Sequence, residues 1–295
     1  MASTPANQRP QSLSAGYTQD PPWGPLWQSG AGNPFFYEQF ADDFTGLDLG
    51  AYTVTNVNSG TVANAAGDGG TALFTTGAAA GNFESIQSAA AFVLPSTGNN
   101  PPATSGSMKK LFYLARLQIA AASTASFIAG LCITTATPFS AGARNVVDGL
   151  FFYKAAGAAN NLVLINIASN SGSPTGAGFT NTFTIPTSAY TLANNSYIDL
   201  AFFIDRNQNL YAWTGFPLVG YLPSSGSGAV DPVTGLSLNP PNGPVLANYN
   251  YQSQGVQTPI MFTTVNLAPT LSLSNGATAA ATTMTADFHC AQKER

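Results

Sequence analysis

Charge is what this sequence has least of. Nine Lys or Arg and 13 Asp or Glu make up 7% of 295 residues, against roughly 25% in an ordinary globular domain. With a net charge of -4 and no basic stretch, nucleic acid is not expected as a partner. A single histidine, His289, is too few for a His-based metal site. The two cysteines, Cys132 and Cys290, have neither metal-site nor redox-pair spacing. They are expected as buried free thiols and would meet only if the last strand lay beside the second central one. No apolar run reaches the ~18 residues of a transmembrane helix, and the N-terminus has no secretory pattern, so neither membrane nor export is expected. Helices are missing too. The Ala-rich pieces are short and flanked by Gly, Ser and Thr, and no segment carries a long 3.6-residue apolar stripe.

Present instead are short alternating runs. In Lys110-Leu-Phe-Tyr-Leu-Ala-Arg-Leu-Gln-Ile119, one face takes Leu111, Tyr113, Ala115, Leu117 and Ile119. Ser126-Phe-Ile-Ala-Gly-Leu-Cys-Ile133 repeats the pattern with Phe127, Ala129, Leu131 and Ile133. A two-residue period built from aromatic and branched side chains predicts strands. The two runs are expected to pair as antiparallel neighbours at the centre of a β-sandwich. Phe112, Leu114 and Ile128 make their opposite faces partly apolar as well, so those faces also call for cover.

About a dozen such strands fit residues 37–295, and a sandwich or jelly roll accommodates that many. They include 37–44, 52–57, 61–64, 71–76, 90–94, 148–154, 161–167, 179–185, 197–205, 209–213, 259–265, 270–273 and 282–290. Arg206-Asn-Gln-Asn209 reads as a hairpin turn, since Leu210 stands where a calcium loop needs glycine. The sequon at Asn194 also reads as a turn. Residues 224–259 form a long Gly-, Pro- and Asn-rich insertion, of a length that is usually functional or held by a partner. Residues 1–36 are an extended arm, because Pro5, Pro10, Pro21, Pro22, Pro25 and Pro34 exclude helix and interior strand. This arm carries Trp23, Leu26, Trp27, Phe35 and Phe36. Such side chains either fold back on their own domain or anchor on a neighbouring subunit.

Phe40-Ala-Asp-Asp-Phe44, Gly69-Gly-Thr-Ala-Leu73, Lys109-Lys-Leu-Phe-Tyr-Leu-Ala-Arg116, Asp148-Gly-Leu-Phe-Phe-Tyr-Lys154 and Ala201-Phe-Phe-Ile-Asp205 together resemble tailed-bacteriophage virion proteins with a concanavalin-like jelly roll. The likeness spans roughly residues 37–213 and the final strand. It implies an all-β antiparallel sandwich that decorates or cements a capsid, often as a homotrimer. The implied partners are the major capsid protein and further copies of this chain, which would be synthesised in the host cytoplasm and sit on the capsid surface of the virion. The arm and the 224–259 insertion depart from the pattern and leave head or tail placement open.

Catalysis has little to stand on. His289 and Cys290 are strand neighbours and point to opposite faces, which does not make a Cys–His pair. A glycosidase needs two carboxylates across the sugar. Glu38, Asp42, Asp43, Asp48, Glu84, Asp148, Asp199, Asp205 and Asp287 supply acids but no Glu-x-Asp-x-x-Glu run. No enzyme, cofactor or metal is therefore expected. A structural virion protein would use Trp23, Leu26, Trp27, Phe35, Phe36, Tyr249 and Tyr251 at subunit interfaces. A carbohydrate-binding adhesin or tail module would instead expose Tyr190, Tyr211, Trp213 or Tyr221 in a concave loop cluster.

Overall fold

The computed structural model describes residues 37–45, 49–66, 70–89, 92–93, 111–159, 164–169, 179–184, 192–204, 210–215, 245–247 and 265–294. The strands run β1 (Tyr37–Asp42), β2 (Tyr52–Asn56), β3 (Thr61–Ala65), β4 (Thr71–Thr75), β5 (Phe83–Ser88), β6 (Phe92–Val93), β7 (Leu111–Ile119), β8 (Ser126–Cys132) and β9 (Phe139–Ser140). They continue with β10 (Ala143–Arg144), β11 (Gly149–Lys154), β12 (Leu164–Ser169), β13 (Phe179–Thr184), β14 (Tyr197–Ile204), β15 (Leu210–Gly215), β16 (Val245–Ala247), β17 (Asn266–Ser274) and β18 (Thr283–Glu294).

Apart from the small β9–β10 pair, they form two eight-stranded antiparallel sheets. The first has the order β16-β15-β14-β7-β18-β4-β3, with β1 also on β18. The second has the order β13-β12-β11-β8-β17-β5-β2, with β6 also on β17. The chain changes sheet from β1 to β2, β2 to β3, β4 to β5, β6 to β7, β7 to β8, β13 to β14, β16 to β17 and β17 to β18, which is jelly-roll connectivity.

That topology corrects the expected pairing of the two central runs. β7 lies in the first sheet and β8 in the second, so they face each other across the core. Alternation identifies the buried face of a strand and says nothing about which strand lies beside it. The link between them makes one tight turn, with the Ala125 N–H donating to the Ala121 carbonyl at 2.9 Å. Inward-facing Tyr113, Leu117, Phe127, Leu131, Phe152, Leu200, Phe202 and Leu271 make one fully buried cluster. Tyr113 and Phe202 stack at 5.0 Å between centroids.

β5 is a strand that composition concealed. Phe83-Glu-Ser-Ile-Gln-Ser88 is buried throughout, although four of its six residues are polar. Ser85 and Gln87 are satisfied by neighbouring segments. Ser85 and Ser272 hydroxyls lie 2.5 Å apart. The Gln87 amide donates to Thr270 Oγ1 and to the Ile133 carbonyl, both at 3.1 Å, and accepts from the Thr135 N–H at 2.8 Å. Buried amides and hydroxyls are tolerated in a sheet when paired in this way. Pro269 sits inside β17 where the strand changes partner from β6 to β5, the place where a missing donor costs least.

Most other expected strands that fall on described residues overlap observed ones, whereas the 1–36 arm and the strand expected at 259–265, but for residue 265, lie outside the described residues. The 224–259 insertion contains β16, which pairs with β15. Cys132 and Cys290 are free and buried, and belong to different sheets.

The first turn explains the Asp42-Asp43-Phe44 motif. Phe44 is fully buried with φ at +54°, a conformation that large L side chains rarely adopt. It is held there because Asp42 Oδ1 accepts the Phe44 N–H at 2.7 Å, while Asp42 Oδ2 accepts the buried Tyr52 hydroxyl. Asp43 closes the same turn through the Thr45 N–H and hydroxyl. Both acids therefore mark the exit from β1. An Asp42→Ala variant strands two donors at once and is expected to lose about 2–4 kcal/mol in urea unfolding. Asp42→Asn, which keeps an acceptor, should lose clearly less.

Candidate functional site

Two groups of side chains carry the chemistry available in the described residues. The first lies on the outer face of the first sheet, around Arg116. Its β7 neighbours pack inward, whereas Arg116 alternates outward beside Asp199 of β14, its register partner. Asp287 of β18 comes from the other side, next to Ala286, the register partner of Leu117, and just before a bulge that places Phe288 opposite Arg116. A bulge adds one residue and re-aims the chain. Arg116 Nε lies 3.6 Å from Asp287 Oδ2 and 3.9 Å from Asp199 Oδ1. Its guanidinium carbon sits 5.0 Å from the centroid of the Tyr197 ring, a cation–π contact.

Asp199 is buried, while Arg116, Tyr197 and Asp287 are partly open to solvent. Burial, followed by the Asp287 charge, raises the Tyr197 hydroxyl above its ordinary pKa, and Arg116 opposes the shift. Chemically this is a pair of carboxylates bridged by a single cation that offsets half of their charge, with one aromatic ring at its margin. A carboxylate held as a counter-ion to arginine is poorly placed to act as a glycosidase acid, which needs a raised pKa.

The second group is internal. His289 faces Phe40, Phe44, Tyr52 and Tyr113 at ring-centroid distances of 4.8, 5.8, 6.3 and 6.3 Å. Both its ring nitrogens and the Tyr113 hydroxyl lack a hydrogen-bond partner. Burial drives the His289 pKa from 6.5 to about 3, so the ring is neutral at physiological pH. Cys290 points the opposite way, and burial raises its thiol to about 12. An imidazole without solvent access, next to an inert thiol on the other face, has nothing to activate.

Other sequence-nominated positions are scattered. Glu38 pairs with Lys293 at 4.0 Å, and Glu84 is buried in the second sheet. Tyr211 and Trp213 lie on β15, in register with Phe203 and Ala201 of β14. The nominated interface residues Trp23, Leu26, Trp27, Phe35, Phe36, Tyr249 and Tyr251, together with Asp48, Tyr190, Asp205 and Tyr221, fall outside the described residues. Among the described residues no three metal-ligating side chains gather, and no helix is long and apolar enough to cross a membrane. Sequence reading missed Arg116 as the centre of the outer cluster. Its outward alternation was visible, but the choice of β14 and β18 as the strands flanking β7 was not.

No protein-family model and no curated protein matches the chain. Among solved structures, the winged bean acidic lectin complexed with methyl-α-D-galactose is similar at 9% identity and TM-score 0.47, over 88% of this chain and 98% of that one. The CBM2 module of the evolved Dit of Lactobacillus casei BL23 phage J-1 gives 10% identity and TM-score 0.43, over 88% and 96%. The β-glucanase of Bacillus licheniformis gives 12% identity and TM-score 0.46, over 87% and 97%. A lectin, a phage module and a hydrolase thus resemble the chain about equally in outline, and none of these likenesses carries a function to it.

Proposed function

We propose that this chain is a non-enzymatic structural protein of a bacteriophage virion, acting through contacts with copies of itself and with a capsid. The observation that carries this reading is how the side chains are distributed. Within the described sandwich Asp42, Asp43, Asp199 and Asp287 hold turns or a salt-bridge cluster. Val147, at 44% exposure, is the one large apolar side chain the described sandwich leaves exposed. Among the described residues no other large apolar side chain is exposed, and this reading gives anchoring to Trp23, Leu26, Trp27, Phe35 and Phe36, with Tyr249 and Tyr251. Each large side chain buried on a partner is worth roughly 1.5–3 kcal/mol before ordering costs. The low charge of the chain also suits a protein that works assembled.

Deleting residues 1–36 and measuring co-sedimentation with expanded capsids tests the proposal. Binding should fall at least roughly tenfold with the loss of a few aromatic anchors. Unchanged binding would remove the arm from the mechanism.

One feature favours a second reading, a saccharide-binding module. The partly open Tyr197 ring stands beside Arg116 and Asp287, a combination of apolar ring face and polar groups that suits a sugar. A reproducible hit on a glycan array that disappears in Tyr197→Ala would favour this reading over the first.

A further inference from the structure

Where the chain crosses from the edge of the second sheet to the edge of the first, it does so in four residues, 57–60, between β2 and β3. Asn58 takes φ at +59°, the Gly60 N–H reaches the Val57 carbonyl at 3.4 Å, and the Val57 N–H reaches the Phe83 carbonyl at 3.2 Å. Beneath this turn lies Glu84 of β5, flanked in register by Asn56 and Leu273. Its side chain occupies the space that residue 60 lacks. A Cβ built on Gly60 would fall 1.6 Å from Glu84 Oε1 and 2.2 Å from its carboxyl carbon.

Glu84 is fully buried, neither carboxyl oxygen makes a well-formed hydrogen bond, and the Val57 backbone is the one group that favours its charged form. Apart from Tyr52, no other residue of β2, β3, β4, β5 or β17 is titratable, and the turn itself is Val57-Asn-Ser-Gly60. Among the described residues no cation is paired with Glu84.

We infer that Glu84 is a proton-operated latch: neutral, it seats the β2–β3 turn and keeps the edges of the two sheets joined, and ionised, it lifts the turn to reach water. An unpaired carboxylate in an apolar slot is far costlier than a neutral acid. The path to solvent that moves least structure is a four-residue turn joining two edge strands. Burial pushes the Glu84 pKa up to about 7, opposed by the Val57 backbone, so the latch operates near neutrality.

Two measurements on the full chain test it. Carbon-13 NMR should show Glu84 titrating with a midpoint near 7. Hydrogen exchange at Val57 and Gly60, corrected for the intrinsic rate, should lose roughly tenfold protection between pH 6 and pH 8.5. In Glu84→Gln, protection should be the same at both pH values. A Glu84 midpoint below 5 would overturn the proposal. So would titration near 7 without any change in exchange at the turn, or an equal loss of protection in Glu84→Gln.

Discussion

Acidification from pH 7 to pH 3 is expected to remove roughly 4–5 kcal/mol of stability through His289 alone. The ring sits among Phe40, Phe44, Tyr52 and Tyr113 with both nitrogens unpaired. Burial holds its pKa near 3, against 6.5 in the unfolded chain. Between those values the unfolded state binds a proton that the folded state refuses. Stability is therefore full above pH 6.5, falls as pH drops through this window, and levels off below 3. The groups facing the ring offer no relief. Asp42 is engaged by the Tyr52 hydroxyl and the Phe44 N–H, and Tyr113 is held neutral by burial. In His289→Leu this share of the acid dependence should vanish. Neutral stability should rise by about 1–3 kcal/mol, the cost of leaving a buried polar group unpaired. Urea midpoints of both proteins at pH 7, 5.5 and 4 check this, and parallel pH profiles would refute it.

Gly130→Ala should be as damaging in a different way. Gly130 lies mid-strand in β8, between Thr270 and Phe151. An added Cβ would come within 2.4 Å of Phe151 Cα and 2.5 Å of the Leu150 carbonyl oxygen. These are backbone atoms of the neighbouring strand and cannot rotate aside, so β8 and β11 would have to separate. A loss of about 3 kcal/mol or more is expected, the upper end for overpacking. Gly157→Ala is the control. Nothing lies within 4 Å of its Cβ, and only φ at +73° opposes the change, at a cost of about 1–2 kcal/mol. Equal midpoints for the two variants in thermal unfolding would contradict the close approach at Gly130.

How much of this was readable from the sequence depended on what each signal encodes. Period-two runs such as 111–119 and 126–133 revealed strands and inner faces, because side-chain direction is a local property. They could not reveal that β7 and β8 belong to opposite sheets, since partner choice depends on the whole topology. β5 escaped because its buried Ser85 and Gln87 are satisfied by Ser272, Thr270 and the segment after β8, all distant in sequence. The bulge at Asp287 hid most. Strict alternation from Met284 and Ala286 would place residue 288 inside, whereas the extra residue turns His289 and Ala291 into the core instead. The Asp42-Asp43 pair was legible as a strand exit because turn chemistry is local too.

The proposed virion role requires the aromatic side chains of residues 1–36 to join one copy to another. Sedimentation velocity of the full chain across a hundredfold range of concentration, beside the chain lacking residues 1–36, tests it most directly. The account predicts a discrete oligomer for the full chain and a monomer for the shortened one. A full chain that stays monomeric at the highest concentration, with Trp23 and Trp27 fluorescence already that of buried indoles, would contradict it.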